Sequence, residues 1–351
     1  MYARYNNMEI YENYPLKELN TFGIDVKARR LVYLRGNTPD DTSRFERDMD
    51  ELLASGLLKE RYMILGEGSN IVFTGDYDGT IIKVGVDEAF GGGDKEGRLL
   101  TVGAQVLIDN MVELCLQHHY YGAENLTAIP GNMGAAVVQN VGAYGVEIKD
   151  LVERVDTVDL LTGERRSFSN SECEFGYRDS IFKHHPGRWL IWRVCLRLAN
   201  KFEPNLKYKA LADEVQRRGL TDLSAYDMRR IISELRWSKL PRPEENGSAG
   251  SFFKNPVVDG ETYRRLREEH PEMPEAHPSA EGYKLSAGWL IDRAGWKGYT
   301  NGRVGVWPKN ALVLYNAGGC TGDDVVMLAK AIQQNVQETF GVSLTPEAII
   351  V

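Results

Sequence analysis

The amino-acid sequence predicts a protein of the α+β class with two or three domains. Its 351 residues suggest that number, because a domain commonly holds about 150 residues. Short apolar runs separated by glycines fill much of the first half, and such runs are typical of strands. In the second half, apolar residues recur at helical spacing and predict helices.

The first half is predicted to consist mainly of strands. Thr162 and Gly163 indicate a hairpin turn after one of them. Between Gln105 and His118 the apolar spacing changes to that of a helix. The predicted strands cover residues 62–65, 70–73, 79–84, 99–102, 151–161 and 189–198.

The second half is predicted to contain helices at residues 210–218 and 226–236, and a longer helix near the end. Thr321 and Asp324 form a capping-box pattern that begins this last helix, and Gly341 ends it. The apolar face between them consists of Val325, Leu328, Ala329, Ile332, Val336 and Phe340.

A polar segment that ends in Pro204 predicts a domain boundary near residue 200. We expect a first domain at residues 1–200, itself divided near residues 75–80. A second domain is expected at residues 201–345. The last residues, 346–351, are predicted to form a strand that packs back on the first domain.

Composition and charge narrow the class of function. The formal net charge is −8, and no basic stripe is present, so we expect no nucleic-acid partner. The sequence has no apolar stretch of about 18 residues and no signal-peptide pattern at its start, so we expect no membrane span. The four cysteines form no CxxC pair, which favours a reducing cytoplasm and argues against a zinc site. The two adjacent histidine pairs also lack metal-ligand spacing.

Two glycine-rich segments are candidates for binding a phosphate-containing ligand. Residues 65–70 (LGEGSN) lie between two predicted strands, and residues 125–145 interleave glycine and alanine with the amides Gln139 and Asn140. Small residues leave main-chain N–H groups accessible to a pyrophosphate and a flat ring. Taken alone, the first segment is more simply explained by a plain hairpin turn, and close helix–sheet packing explains the second equally well.

Three polar residues occur where structure alone does not demand them. Arg178 lies among aromatic residues, Ser251 lies in a loop between Gly250 and Phe252, and Glu347 precedes the apolar end. Taken singly, these side chains are explained by a salt bridge, a main-chain hydrogen bond and simple surface exposure. Their spacing does not join them into one site, and no GxSxG motif supports a Ser-His-Asp triad.

The sequence resembles the UDP-N-acetylenolpyruvoylglucosamine reductases, which are flavoenzymes of bacterial cell-wall synthesis. The resemblance extends over nearly the whole chain, and Tyr208 indicates the branch of the family with a tyrosine loop. Its motifs occur in the order of the family: Asn20-Thr-Phe-Gly23, Gly66-Glu-Gly-Ser-Asn70, Gln139-Asn-Val-Gly-Ala-Tyr-Gly145, Phe175-Gly-Tyr-Arg-Asp-Ser180 and Gly250-Ser-Phe-Phe-Lys-Asn-Pro256.

The resemblance implies a two-part FAD-binding module of the vanillyl-alcohol-oxidase type, followed by a smaller α+β substrate domain. It also implies non-covalent FAD, since neither glycine-rich flavin segment contains a histidine or a cysteine that could tether it. The residues that would hold FAD are Leu65, Gly66, Gly68, Ser69, Asn70, Ile129, Pro130, Gly131, Gly134, Ala135, Gln139, Asn140, Gly142, Ala143 and Arg236.

The resemblance further implies a reaction in a bacterial cytoplasm, carried out by a monomer. NADPH would reduce FAD, and the enolpyruvyl sugar nucleotide would then enter the same cleft and take a hydride at C3 and a proton at C2. Arg178 would clamp the substrate carboxylate, Ser251 would give the proton, and protonated Glu347 would hydrogen-bond the enolate. The substrate would be held by Tyr144, Tyr208, Lys239, Asn255 and Asn310.

Two alternatives stay open at this point. The chain could be a different flavin oxidoreductase on the same module, or a binding protein without catalysis. The joint presence of Arg178, Ser251 and Glu347 argues against both. Ile349 stands where the family commonly carries a basic residue, and this departure alone keeps the second alternative open.

Overall fold

The computed structural model describes residues 2–5, 8–38, 41, 43–93, 97–279 and 282–351. The chain divides into two compact units. The first unit consists of Met1–Tyr14, Ala28–Glu67 and Asp78–Arg236. The second consists of Pro15–Lys27, Gly68–Tyr77 and Trp237–Val351.

Groups of consecutive strands are separated by helices along the chain. The strands are β1 (Tyr2–Tyr5), β2 (Met8–Pro15), β3 (Lys27–Arg35), β4 (Tyr62–Ile64), β5 (Ile71–Val72), β6 (Tyr77–Gly85), β7 (Ala89–Gly93), β8 (Arg98–Gly103), β9 (Gly142–Ala143), β10 (Val146–Glu147), β11 (Val152–Asp159), β12 (Arg165–Ser169), β13 (Trp189–Leu198), β14 (Ser248–Ser251), β15 (Val257–Val258), β16 (His277–Ser279), β17 (Gly282–Lys284), β18 (Val304–Val306), β19 (Val313–Asn316) and β20 (Ile349–Ile350). The α-helices are α1 (Arg44–Ala54), α2 (Ile108–Gln117), α3 (Met133–Gln139), α4 (Ile181–His184), α5 (Lys209–Arg217), α6 (Ala225–Lys239), α7 (Gly260–Glu269), α8 (Ala287–Arg293) and α9 (Gly322–Phe340).

The first unit is built on two larger sheets. One has the strand order β1-β2-β3-β6-β4, with β4 and β6 parallel. The other has the order β12-β11-β13-β8-β7, and its neighbouring strands are antiparallel. Helix α1 contributes to the core of the first sheet, and α2 and α3 contribute to the core of the second. Each sheet therefore buries an apolar face against helices, as the α+β class requires.

The first unit extends beyond the predicted boundary near residue 200, because residues 201–236 belong to it. The apolar faces of α5 and α6 meet in one cluster, which includes Leu211 and Met228 and packs on Tyr144. Because their apolar faces are buried in this cluster, the two amphipathic helices belong to the unit that supplies its other residues. The polar segment around Pro204 is thus a connection inside a unit.

The second unit contains two small antiparallel sheets, of order β14-β19-β18 and β15-β17-β16. Its long helix α9 begins with the predicted capping box of Thr321 and Asp324 and ends at Gly341 in the left-handed region. The predicted apolar face of α9 is buried.

The last strand, β20, pairs in parallel with β5. The sequence places β5 within the expected first domain, but the structure assigns residues 68–77 to the second unit, so this pairing lies inside one unit. Among the helices of the described ranges, none combines the length and apolar character needed to cross a bilayer.

The buried ion pair of Asp48, on α1, with Arg35 is expected to stabilise the first unit. Its side chain is fully buried and accepts hydrogen bonds from Arg35, with Nη2 at 2.6 Å from Oδ1 and Nε at 2.9 Å from Oδ2. Asp48→Ala leaves the Arg35 guanidinium without this carboxylate, so we expect the free energy of unfolding to fall by about 3 kcal/mol.

Urea unfolding followed by circular dichroism measures this change. Asp50→Ala on the same helix is the matched control, because the Asp50 side chain is 74% exposed. The control should shift the unfolding free energy by less than about 0.5 kcal/mol. Equal losses in both variants would contradict a structural role for the Asp48–Arg35 pair.

Candidate functional site

The structure places the predicted site residues in both compact units. The first unit holds Leu65, Gly66, Ile129, Pro130, Gly131, Gly134, Ala135, Gln139, Asn140, Gly142, Ala143, Tyr144, Arg178, Tyr208 and Arg236. The second unit holds Gly68, Ser69, Asn70, Lys239, Ser251, Asn255, Asn310 and Glu347. The first glycine-rich segment therefore contributes to both units.

Within the first unit, Gly66 brings the two glycine-rich segments together. A β-carbon added at Gly66 would lie 2.9 Å from Ala135 Cβ and 2.9 Å from Asn132 Oδ1. Asn132 caps α3 by accepting a hydrogen bond from the main-chain N–H of Ala135. Only glycine permits this approach between the loop and the start of α3.

In the second unit, Gly68 and Asn70 have structural partners. Gly68 has φ +61°, and a β-carbon there would overlap the Leu19 carbonyl oxygen. Asn70 Nδ2 donates to the Glu347 carbonyl oxygen at 3.2 Å, and the N–H of Ile349 donates to Asn70 O at 2.9 Å. The loop is therefore tied directly to the segment that carries Glu347.

The second glycine-rich segment combines small residues with an unusual backbone. Ala128, Asn140 and Tyr144 are not glycines, yet their φ values are +59°, +44° and +49°. The left-handed region is unfavourable for residues with a β-carbon. Strain of this kind tends to concentrate at functional sites, and persists only where surrounding contacts impose it.

Arg178 is fixed on this segment and also has a left-handed backbone, with φ +55°. Its Nη1 donates to Asn140 O at 3.3 Å, and its Nη2 donates to Gly142 O at 3.0 Å. Glu147 Oε1 lies 3.7 Å from Nη1. These contacts hold the guanidinium plane in one orientation.

Arg236 lies at the end of the first unit and donates from Nε to the Ala128 carbonyl oxygen at 3.2 Å. Within the described part of the chain, it forms no ion pair with a carboxylate. Burial lowers the pKa of the Arg236 guanidinium. A desolvated cation without a carboxylate partner is a natural neighbour for an anionic group.

Tyr144 and Tyr208, both predicted to bind substrate, lie together in the first unit. Their rings meet edge to face, with centroids 5.2 Å apart. Asn125 is buried, and its Nδ2 donates to the Tyr144 carbonyl oxygen at 2.8 Å and to that of Asn205 at 3.1 Å. Burial raises the pKa of the Tyr144 phenol.

Ser251 and Glu347 are brought together in the second unit by the backbone. The N–H of Glu347 donates to Phe252 O at 2.7 Å, and that of Lys254 donates to Thr345 O at 2.9 Å. Ser251 is exposed, and no other described residue forms a hydrogen bond with its hydroxyl. Because Phe252 follows Ser251 directly, the hydroxyl and the carboxyl are carried by adjacent segments of one small structure.

The other residues predicted to bind substrate differ in their surroundings. Lys239 is exposed at the end of α6. Asn255 Oδ1 accepts the N–H of Ala287 at 3.0 Å, and Asn310 Oδ1 accepts the N–H of Leu312 at 3.1 Å. The Asn255 oxygen therefore binds the first residue of α8, and the Asn310 oxygen stabilises a local turn. The two amide nitrogens are left as the donors for a ligand.

Sequence reasoning missed a polar cluster under the Gly66 turn. Lys83 is buried, and its Nζ donates to Gly66 O at 2.8 Å and to Glu67 Oε1 at 3.1 Å. Gln105 Nε2 donates to the same Glu67 oxygen at 2.9 Å. The available signal was a lysine inside the apolar strand β6, since a buried lysine normally has a partner.

Small residues, a strained backbone and a desolvated arginine together fit a ligand with a pyrophosphate and a flat ring, such as FAD. Gly66 permits close approach to the main chain, and Arg236 offers a desolvated cation. The fold and this site define a flavoenzyme whose FAD-binding module is followed by a separate C-terminal unit. Residues 57–169 match the family described as "FAD binding domain".

The similarities to known proteins identify the family. Residues 242–351 match the family described as "UDP-N-acetylenolpyruvoylglucosamine reductase, C-terminal domain". The UDP-N-acetylenolpyruvoylglucosamine reductase of Azoarcus sp. (strain BH72) is 44% identical over 348 residues, which cover 96% of each chain. That of Pseudomonas aeruginosa is 42% identical, over 97% of this chain and 98% of its own.

The chain belongs to the UDP-N-acetylenolpyruvoylglucosamine reductase family, and it is therefore an FAD-dependent oxidoreductase. The reductase of Thermus caldophilus shares the fold, with a TM-score of 0.64 and 24% sequence identity. That match covers 100% of this chain and 99% of the other. The expected α+β fold with a flavin module and a C-terminal domain is thereby confirmed.

Gly66→Ala tests the close approach to α3. We expect the dissociation constant of FAD to rise at least about tenfold, because the added methyl group pushes the loop away from Ala135 and Asn132. Ultrafiltration of the yellow holoenzyme, with absorbance of the released flavin, measures this constant. Gly92→Ala is the matched control, because a β-carbon there meets nothing within 4 Å. Unchanged FAD binding in Gly66→Ala would remove this loop from the flavin site.

Proposed function

We propose that Arg178, Ser251 and Glu347 carry out the reduction of UDP-N-acetylglucosamine enolpyruvate to UDP-N-acetylmuramate. This reaction is the activity of the family to which the chain belongs, and it supplies a precursor of peptidoglycan. NADPH is the co-substrate, and bound FAD, once reduced by NADPH, would supply the hydride for the enolpyruvyl group. The observation that carries the assignment is the fixation of Arg178 on the carbonyls of the proposed flavin-binding segment.

Arg178 binds the carboxylate of the enolpyruvyl group in this proposal. Negative charge builds on that carboxylate and at C2 as C3 becomes saturated, and a planar guanidinium can donate to both carboxylate oxygens at once. Asn140 and Gly142 keep the guanidinium in place, so it does not reorganise as the charge develops. Glu147 Oε1 lies 3.7 Å from Nη1 and gives the guanidinium a carboxylate neighbour before the substrate carboxylate binds.

Ser251 gives the proton to C2, and Glu347 hydrogen-bonds the enolate oxygen in this proposal. An ordinary hydroxyl is a weak acid, so a donor at this position needs a polar neighbour that stabilises the alkoxide or returns a proton. The hydrogen bond from Glu347 N–H to Phe252 O holds the two residues on neighbouring segments. This fixed spacing supports the assignment of both to the proton-transfer step.

Tyr144, Tyr208, Lys239, Asn255 and Asn310 bind the sugar nucleotide in this proposal. Lysine is a suitable partner for a diphosphate, and the two tyrosine rings offer apolar faces. The amide groups of Asn255 and Asn310 donate to ligand oxygens through Nδ2, since their oxygens are engaged.

We propose that the protein acts as a cytoplasmic monomer that binds no nucleic acid. The four cysteines are free and buried, which supports a reducing compartment, and the negative net charge supports the absence of nucleic acid.

Arg178→Lys tests the carboxylate clamp. Lysine keeps the charge but loses the planar fork, so we expect turnover to fall about 10²-fold while FAD stays bound. Steady-state oxidation of NADPH in the presence of the enolpyruvyl substrate measures the effect. Arg154→Lys, at an exposed pair with Asp156, is the control and should keep normal turnover. Wild-type turnover in Arg178→Lys would remove Arg178 from the site.

Ser251→Ala tests the proton donor. We expect NADPH to reduce the bound FAD at the normal rate, because this half-reaction needs no proton from Ser251. Reoxidation by the enolpyruvyl substrate should slow by at least about 10²-fold. Anaerobic stopped-flow absorbance at the oxidised-flavin band separates the two half-reactions.

Ser248→Ala on the same strand is the control for this experiment, and both of its half-reactions should proceed normally. Equal slowing of both half-reactions in Ser251→Ala would indicate damaged flavin placement. Normal reoxidation in that variant would assign the proton to another group.

A further inference from the structure

Ala128 directly precedes the proposed flavin-binding segment, and side chains hold both of its main-chain polar groups. Its N–H donates to Asp109 Oδ1 at 2.7 Å, and its carbonyl oxygen accepts from Arg236 Nε at 3.2 Å. The residue has φ +59°, a conformation that a residue with a β-carbon rarely adopts. These two contacts therefore impose a backbone conformation that is energetically unfavourable for an alanine.

Asp109 is in turn fixed by Arg229. The two groups form a bidentate pair, with Nη1 at 2.9 Å from Oδ1 and Nη2 at 2.9 Å from Oδ2. Arg229 Nε also lies 3.1 Å from Glu113 Oε2. A bidentate arginine–carboxylate pair restricts the carboxylate in direction as well as in distance. Asp109 thus presents Oδ1 to the Ala128 N–H from a fixed position.

Helix α6 contributes to both ends of this arrangement. Arg229 and Arg236 are seven residues apart on α6, which places them on the same face of the helix. Arg229 fixes the carboxylate that holds the Ala128 N–H, and Arg236 holds the Ala128 carbonyl. The backbone of Ala128 is therefore coupled to the arginine that we assign to FAD.

We propose that Asp109, oriented by Arg229, is a positioning residue for FAD. It holds Ala128 in the left-handed conformation. This conformation fixes the position of the Ile129 backbone and the orientation of the Arg236 side chain. The inference rests on the proposed assignment of residues 129–144 and Arg236 to the cofactor. In this role Asp109 acts through the Ala128 N–H, and its contribution is a pre-organised main chain.

Three variants of the holoenzyme test this role through the dissociation constant of FAD, measured by ultrafiltration. Asp109→Ala should raise the constant about tenfold, since Ala128 can then relax from its strained conformation. Glu113→Ala is the matched control on the same helix, because Glu113 pairs with Arg229 without bonding to Ala128. This control should stay within about threefold of the wild-type constant.

The decisive variant is the double substitution Asp109→Ala with Ala128→Gly. Glycine adopts the left-handed conformation without the steric cost, so the second change should restore FAD binding to within about threefold of wild type. A general loss of stability would lower the melting temperature and would not be restored by a glycine at residue 128. Where Asp109→Ala fails to fold, Arg229→Met with and without Ala128→Gly provides the same comparison.

Failure to restore binding in the double variant would overturn the role of Asp109. Equal effects of Asp109→Ala and Glu113→Ala would overturn it as well. The comparison with Gly66→Ala separates this inference from the proposed function. Weaker FAD binding in Gly66→Ala together with normal binding in Asp109→Ala removes only the role of Asp109. Normal binding in both variants removes the flavin-site assignment itself.

Discussion

The site depends on side chains that hold a strained, small-residue backbone between residues 128 and 145. A segment that offers its main chain to a cofactor has few side chains of its own with which to fix its conformation. Neighbouring elements supply them: Asp109 binds the Ala128 N–H, Asn125 binds the Tyr144 carbonyl, and Arg178 binds two further carbonyls. Each of these bonds is directed, so together they can impose left-handed conformations on residues that carry a β-carbon.

The proposed catalytic groups use the same main-chain contacts. Arg178 both stabilises the segment and takes its own orientation from it, so one set of hydrogen bonds fixes the cofactor loop and the proposed carboxylate clamp. In the second unit, hydrogen bonds between the segments around Phe252 and Glu347 space the proposed proton donor and its acidic neighbour. Groups held by a backbone need less reorganisation during the reaction than groups held only by flexible side chains.

Much of the local structure followed from sequence, because apolar spacing and caps report directly on single elements. The predicted strands near residues 62–65 and 189–198 correspond to β4 and β13, and the capping box of Thr321 begins α9. The division between units at residue 236 could not be predicted, since it depends on where α5 and α6 bury their apolar faces. The contacts of Lys83 and Asp109 were equally inaccessible, because a pairing across many residues leaves no local pattern.

Hydrogen exchange of the protein freed of FAD tests most directly whether residues 128–145 are organised before the cofactor binds. The N–H groups of Gly134, Val141 and Ala128 are all bonded within the protein, so their exchange should be slow without FAD. Strand β11 serves as the internal reference for an intact fold. Protection of residues 128–145 close to that of β11 is the expected result. Fast exchange across this segment, with β11 still protected, would show that FAD creates the conformation and would contradict a pre-organised site.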